Sequence, residues 1–310
     1  MSPEFWIILT GALAAGSCAL IGCFLVLRRM AMLGDAISHA VLPGIVIAFL
    51  VSNSRAPLPM LIGAVALGIF TAVLVEWLHR NGQLQQDASI GVAFTGLFAV
   101  GVILISAFAG QVDLDQECVL YGEIAYVPWD TWTLASGADL GPRAVWILGA
   151  SFAANLIGVL LAYKELKICA FDPELGASLG IPVTLFHYLL MGATSVTTVT
   201  AFESVGAILV VAMLVGPAAT AYLLTDRLSH MLALAVTIGF GSSGLGYLLA
   251  RVLDCSIAGA MSVVIGAAFT LAFLFGPRHG VVVRAWRLRR LGERARRELG
   301  DAGSVPSRQS

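Results

Sequence analysis

Residues 5–27 read FWIILTGALAAGSCALIGCFLVL, a run of 23 residues without a charged side chain. A helix needs about 20 such residues to cross the roughly 30 Å hydrocarbon core of a bilayer, so this run is long enough to span a membrane. Arg28 and Arg29 follow the run, whereas a cleaved signal peptide begins with its positive charges. The sequence therefore predicts a first span that is retained.

The same pattern recurs along the chain. Of the 310 residues, 58% are hydrophobic and 12% are charged, whereas a soluble domain carries about 25% charged residues. Apolar windows fall at 5–27, 36–52, 57–78, 88–109, 144–163, 183–202, 203–225, 230–252 and 257–276. The windows on either side of residue 203 leave no room for a loop, so they form either two spans or one long span and a broken helix. The sequence predicts an all-α bundle of eight or nine spans.

Positive charges next to the spans predict the orientation, because lysine and arginine collect on the cytoplasmic side. If the loop after the first span is inside, the inside set holds fifteen of the eighteen basic residues. These are Arg28, Arg29, Arg80, Lys164, Lys167, Arg227 and nine arginines from Arg278 onward, whereas Arg55, Arg143 and Arg251 fall outside. The bias places the carboxyl end in the cytoplasm.

Asp35 and His39 open the second window and are four residues apart, so on a helix they share one face, with Ser38 beside them. Ionisable residues in a span are costly and usually functional. A carboxylate with an imidazole suits a first-row divalent ion such as Mn²⁺, Fe²⁺ or Zn²⁺. Pro43 and Gly44 follow and predict a break in the helix. The alternative is a structural hydrogen bond between the two side chains at the cytoplasmic end of the span.

Glu203 is the single acid between Glu174 and Asp226, within an apolar part of the chain. It is a third candidate metal ligand, because a buried acid needs a partner or a cavity. Pro217 lies among small residues, which predicts either a helix break or close helix packing. His187 is a weaker candidate for the same path, with a structural role as the alternative.

The predicted outer loop, 110–143, carries an acidic cluster that includes Asp113 and Asp115, followed by Trp129 and Trp132. Tryptophans at the headgroup level are typical of an interfacial helix. The cluster of acids favours a second interpretation, a funnel that attracts cations.

The predicted inner loop, 164–182, contains a marked short helix. Asp172 is a plausible N-cap, Pro173 fits the first helical position and Gly180 ends the helix. Because the chain lacks Walker-type and hydrolytic motifs, it is not expected to be an enzyme, and a partner ATPase docking on this segment would supply energy. The docking candidates are Phe171, Asp172, Pro173, Glu174, Leu175, Leu179 and Gly180.

The membrane domain is predicted to end at residue 277. Residues 278–300 interleave arginine with apolar residues at helical spacing, which predicts an amphipathic helix on the anionic inner leaflet rather than a nucleic-acid-binding segment. Residues 301–310 are predicted to be disordered.

Several ordered motifs then suggest a family. The chain resembles the integral membrane permeases of bacterial ABC importers for manganese, zinc and iron across residues 5–280. The resemblance rests on the segments at 34–44, 112–116, 171–181 and 203–221, which include GDAISHAVLPG, VDLDQ, FDPEL and ESVGAILVVAMLVGPAATA.

This resemblance implies a multi-pass protein of the bacterial cytoplasmic membrane that works as a homodimer or as a heterodimer. It also implies a pair of ATPases docked on 171–181, a metal-binding protein outside, and a metal path lined by Asp35 and His39. The metal is substrate, and no cofactor is bound permanently. The sequence Phe-Glu-Ser-Val-Gly at 202–206 resembles the manganese and iron members more than the zinc members, which usually lack an acid there. The main rival is a proton-coupled metal transporter, whereas an intramembrane protease lacks its motifs.

Overall fold

The computed structural model describes residues 2–52, 57–108, 124–133 and 139–276, with residues 280, 281 and 283. Within these ranges nine helical spans are long and apolar enough to cross a membrane. They are α1 (Pro3–Leu27), α2 (Leu33–Ala40) with α3 (Leu42–Ser52), α4 (Pro57–Gly82), α5 (Gln86–Phe108), α6 (Arg143–Leu161), α9 (Val183–Val205), α10 (Ala207–Leu224), α11 (Leu228–Leu253) and α12 (Ile257–Phe275). The predicted all-α bundle is confirmed, and its spans match the nine apolar windows.

The spans at 183–225 are two separate helices joined at Gly206. Its φ of +83° and ψ of 159° lie in a region of backbone conformation that residues other than glycine rarely adopt. The Gly206 N–H donates to the Phe202 carbonyl, and the Gly206 carbonyl accepts from Val210. One residue therefore replaces a connecting loop.

Helix α1 lies at the centre of the bundle and packs against α6, α9, α10 and α11. Its buried face includes five small residues with no exposed surface: Ala14, Ala15, Cys18, Ala19 and Cys23. At Gly22, a Cβ atom would overlap the main-chain oxygen of Leu214 in α10. Lipid gives no hydrophobic drive for helices to associate, so close backbone approach and dispersion hold these helices together.

A polar bridge reinforces this core. The Asn155 amide of α6 donates to Ser17 Oγ of α1 at 2.8 Å and to Thr197 Oγ1 of α9 at 2.7 Å. Hydrogen bonds between membrane helices contribute about 0.6–2 kcal/mol each. The bridge therefore fixes three helices at one level.

The second span is interrupted between α2 and α3 at Val41, two residues before Pro43. Beyond the interruption, the main chain of Gly44 in α3 lies against that of Gly63 in α4. The break predicted at Pro217 is not seen. Helix α10 continues through this residue to Leu224, because packing against α1, α11 and α12 supports it on several sides.

The two ends of the bundle carry different short elements. At the first, called the β end, a 3₁₀ helix (Ile124–Trp129) precedes the antiparallel strands β1 (Thr131–Thr133) and β2 (Asp139–Pro142). Trp129 and Trp132 are exposed there, as an interfacial segment requires, but the strands were not predicted. At the second, called the α8 end, α7 (Tyr163–Phe171) and α8 (Pro173–Ser178) connect α6 to α9. Helix α7 was predicted as loop.

Candidate functional site

Asp35 and His39 face each other along α2. His39 Nε2 lies 3.5 Å from Asp35 Oδ1, which is at the outer limit of a hydrogen bond, and a third of each side chain is exposed. The imidazole lies beside the rings of Phe94 and Phe98 in α5, with centroids 6.1 and 6.2 Å away. The pair is therefore held loosely and keeps an open side.

The face of α2 that carries Gly34 and Ser38 is closed. Ser38 is buried and its hydroxyl donates to the Gly34 carbonyl at 2.9 Å, so this hydroxyl serves the helix. A Cβ atom at Gly34 would overlap the Leu214 side chain and would lie 3.9 Å from Thr198 Oγ1. Close packing on this face fixes the direction in which Asp35 points.

The contacts of α2 show how deep the pair lies. An added Cβ at Gly68, near the middle of α4, would lie 3.2 Å from Ile37 Cγ2. Leu214, which contacts Gly34, is also near the middle of its helix. Asp35 and His39 therefore lie in the first turns of their own span but level with the middle of α4 and α10, and the alternative of a structural hydrogen bond between them stays open.

The described residues of one chain do not form a complete metal site. The residues that the structure describes contain no group of three or more His, Cys, Asp or Glu side chains able to hold an ion. Thr198 is fully buried, and its Oγ1 atom is the single buried side-chain oxygen or nitrogen in the described ranges that lacks a hydrogen-bond partner. The pair thus offers two ligands and leaves other coordination positions open.

Glu203 does not join the pair. It lies five residues beyond Thr198 along α9, or about 7.5 Å nearer the β end at 1.5 Å per residue. There it lines a cavity of about 230 Å³ together with Tyr126, Asp130 and Arg143. Two carboxylates and one guanidinium therefore line this cavity at the β end of the bundle.

His187 belongs to a different cluster, at the α8 end. Its Nε2 lies 2.8 Å from Glu76 Oε2, and its Nδ1 lies 2.9 Å from a guanidinium nitrogen of Arg28. Arg80 also pairs with Glu76, which is buried in α4. Glu76 was not predicted as a site residue, although it too is an acid inside an apolar window, the criterion that marks Glu203.

Helix α8 has the ends that the sequence predicts. The Asp172 carboxylate accepts the Leu175 N–H at 2.9 Å, Pro173 occupies the first turn, and Gly180 follows with a φ of +78°. Three apolar side chains on this segment are exposed at intervals of four residues: Phe171, Leu175 and Leu179. These three side chains form an exposed apolar strip along α8 and its two ends.

Some predicted residues lie outside the described ranges. These are Asp113 and Asp115 of the acidic cluster and residues 284–310 of the basic tail. The funnel, the amphipathic tail helix and the disordered terminus therefore stay predictions.

Known proteins resemble the chain over nearly its whole length. It is 54% identical over 287 residues to the manganese transport system membrane protein MntD of Bacillus subtilis, covering 93% of this chain and 97% of that protein. It is 43% identical over 290 residues to the zinc transport system membrane protein TroD of Treponema pallidum, covering 92% and 77%.

The fold has a solved counterpart as well. PsaBC from Streptococcus pneumoniae, in complex with Fab, aligns with a TM-score of 0.75 at 30% identity, over 93% of this chain and 96% of that one. The sequence profile of the ABC 3 transport family matches residues 4–276, and this match includes all nine spans. The chain therefore belongs to the ABC 3 transport family.

Proposed function

We propose that this chain is the permease subunit of an ATP-binding-cassette importer that moves a divalent metal ion into the cytoplasm, with Mn²⁺ favoured over Fe²⁺ and Zn²⁺. The Asp35–His39 pair carries this proposal, because it places an oxygen and a nitrogen ligand near the middle of the bundle, open on one side. Relatives named for manganese and zinc transport support the class of substrate.

The path begins outside the cell, in the cavity that Glu203 and Asp130 line. Glu203 and Asp130 attract a cation at the β end, and Arg143 keeps them from trapping it. The ion then reaches Asp35 and His39, whose loose 3.5 Å contact separates to admit it. Such a mixed oxygen and nitrogen site suits Mn²⁺, Fe²⁺ and Zn²⁺, so selectivity among them depends on coordination number and geometry.

A second copy completes the site. One chain gives two ligands, and Mn²⁺ takes up to six, so an ion between two copies receives four protein ligands from two facing pairs. The exposed third of each side chain is the surface through which the copies share the ion. A similar permease in a heterodimer would serve in the same way.

Energy comes from an ATPase dimer seated on α8. Phe171, Leu175 and Leu179 provide an exposed apolar strip for this partner, and Glu174 adds a charge at the first turn. The α8 end thus faces the cytoplasm together with the carboxyl terminus, and a metal-binding protein delivers the ion at the β end. The permease itself catalyses no reaction.

Reconstitution tests the proposal. Vesicles that contain the permease, its ATPase and the binding protein should take up ⁵⁴Mn²⁺ only with ATP, and Mn²⁺ should compete better than Fe²⁺ or Zn²⁺. Uptake driven by a proton gradient without ATPase and ATP would contradict the proposal and favour a proton-coupled transporter.

A further inference from the structure

A polar cavity of about 400 Å³ lies at the α8 end, where α1, α4, α7 and α9 meet. Asp35, His39 and Glu203 do not line it. Its arginine, glutamate and histidine lining consists of Arg28, Arg29, Glu76, His79, Arg80 and His187. We call it the arginine cavity.

The arginine cavity carries a positive charge. Its lining has three guanidinium groups and one carboxylate, that of Glu76, which pairs with Arg80. Arg28 donates to His187 and to the carbonyl of Cys169, neither of which supplies a negative charge. The lining thus has two more guanidinium groups than carboxylates.

Arg29 occupies an unusual backbone position. Its φ is +60°, and its N–H donates to the Val26 carbonyl while Met30 donates to Leu25, the pattern with which helices end. Glycine normally takes this position because a Cβ atom is unfavourable there. The Arg29 side chain is exposed and forms no hydrogen bond or ion pair with any described residue. Packing therefore gives no reason for an arginine here.

The depth of the arginine cavity is marked by two aromatic residues. Trp77 follows Glu76 in α4 and is 59% exposed, and Tyr188 follows His187 in α9 and is 38% exposed. Exposed tryptophan and tyrosine near the ends of spans lie at the headgroup level of a bilayer. The guanidinium groups of the arginine cavity are therefore at the depth of lipid phosphates.

We propose that the arginine cavity binds the phosphate group of an anionic phospholipid from the leaflet at the α8 end. Guanidinium groups recognise phosphate with paired N–H donors, and basic pockets between spans take anionic headgroups. The volume equals that of about thirteen water molecules at roughly 30 Å³ each, which is enough for a phosphoglycerol headgroup. Arg29 is the residue that favours an anionic over a neutral headgroup, because the other two arginines already bind protein groups.

Lipid binding to the purified full-length chain tests this proposal. Native mass spectrometry would measure the affinity for phosphatidylglycerol and for phosphatidylcholine in wild type, Arg29→Gly and Arg29→Asn. Both substitutions suit a positive φ, so neither should lower the melting temperature. We expect wild type to prefer phosphatidylglycerol and both variants to bind it about fivefold more weakly, the effect of one basic residue near a charged surface.

A matched control is available at Gln83, which also has a positive φ, of 50°, but carries no charge. Gln83→Gly relieves the same backbone strain and should leave lipid affinity unchanged. Equal affinity for the two lipids, or an unchanged affinity in the Arg29 variants, would overturn the proposal.

Two further outcomes would also overturn it. Inorganic phosphate that stabilises the chain as much as phosphatidylglycerol does would assign the arginine cavity to a soluble anion. Release of bound lipid when the ATPase is added would assign it to an acidic side chain of that partner. None of these measurements depends on metal transport, so the proposed function is tested separately.

Discussion

The Arg28 guanidinium donates a hydrogen bond to His187 Nδ1 across 2.9 Å. Because a guanidinium group can only donate, Nδ1 is the acceptor and the imidazole proton lies on Nε2, facing Glu76. Arg28 also donates to the Cys169 carbonyl at 3.1 Å. A continuous series of hydrogen bonds therefore links α4, α9 and α1 to α7, directly before the proposed docking helix.

Glu76→Gln should weaken this cluster. The glutamine amide has one acceptor oxygen where the carboxylate has two, so whichever way the amide and the imidazole are arranged, two donors face each other. A buried donor without an acceptor costs about 1–3 kcal/mol, and we expect the free energy of unfolding in detergent to fall by that amount.

Glu174→Gln is the control for this change, because Glu174 is exposed on α8 and should shift stability by less than about 0.5 kcal/mol. Equal stability of Glu76→Gln and wild type would show that the cluster contributes nothing to folding.

Asp35→Asn and His39→Ala should each reduce ATP-dependent metal uptake by at least about 100-fold, the upper end of the loss seen when residues that only orient a metal ligand are changed. Both side chains are partly exposed, so assembly into dimers should be retained. Uptake of ⁵⁴Mn²⁺ into vesicles and size-exclusion chromatography measure the two effects.

Ser38→Ala separates ligand loss from damage to α2. The Ser38 hydroxyl is buried against the Gly34 carbonyl of its own helix, so its removal should leave uptake nearly unchanged. A loss as large as that of Asp35→Asn, or unfolding of all three variants, would favour a structural role for the pair.

Hydropathy predicts the nine spans because each must supply about 20 apolar residues to the bilayer. It does not give depth. Asp35 lies near the middle of the bundle because Gly34 and Ile37 pack against the centres of α10 and α4, which only the folded chain reveals. The separation of Glu203 from Asp35 could not be predicted either. Each is recognised as an acid in an apolar window, and that criterion says nothing about the distance between them.

Helix boundaries that depend on backbone conformation were equally hard to predict. Gly206 ends α9 through its φ of +83°, whereas Pro217 remains inside α10 because neighbouring helices hold it. Both residue types have a low helix propensity, and tertiary packing determines at which of the two positions the helix ends. The caps of α8 were predictable, since an N-cap carboxylate and a proline in the first turn are local signals.

Gly206→Ala should therefore destabilise the bundle. Its φ of +83° and ψ of 159° are open to glycine, and another residue held there is strained by about 1–3 kcal/mol. The midpoint of thermal unfolding in detergent should fall accordingly.

Gly192→Ala is the matched control in the same helix. An added Cβ there meets no atom within 4 Å, and replacing a glycine in a helix by alanine gains up to about 1 kcal/mol. A stability that falls equally in both variants would show that the backbone angle at Gly206 is not what matters.

Glu174→Lys should weaken binding of the ATPase. The residue is exposed in the first turn of α8, beside the apolar strip of Phe171 and Leu175, so a reversed charge meets the partner directly. A lysine at a helix amino terminus also interacts unfavourably with the helix dipole, which destabilises the helix by about 0.3–1 kcal/mol. Co-purification of the ATPase with the permease should decrease, while metal affinity stays the same. Glu165→Lys makes the identical change in α7, away from the strip, and should leave co-purification intact; a Glu174→Lys permease that retains as much ATPase as this control would argue against docking on α8.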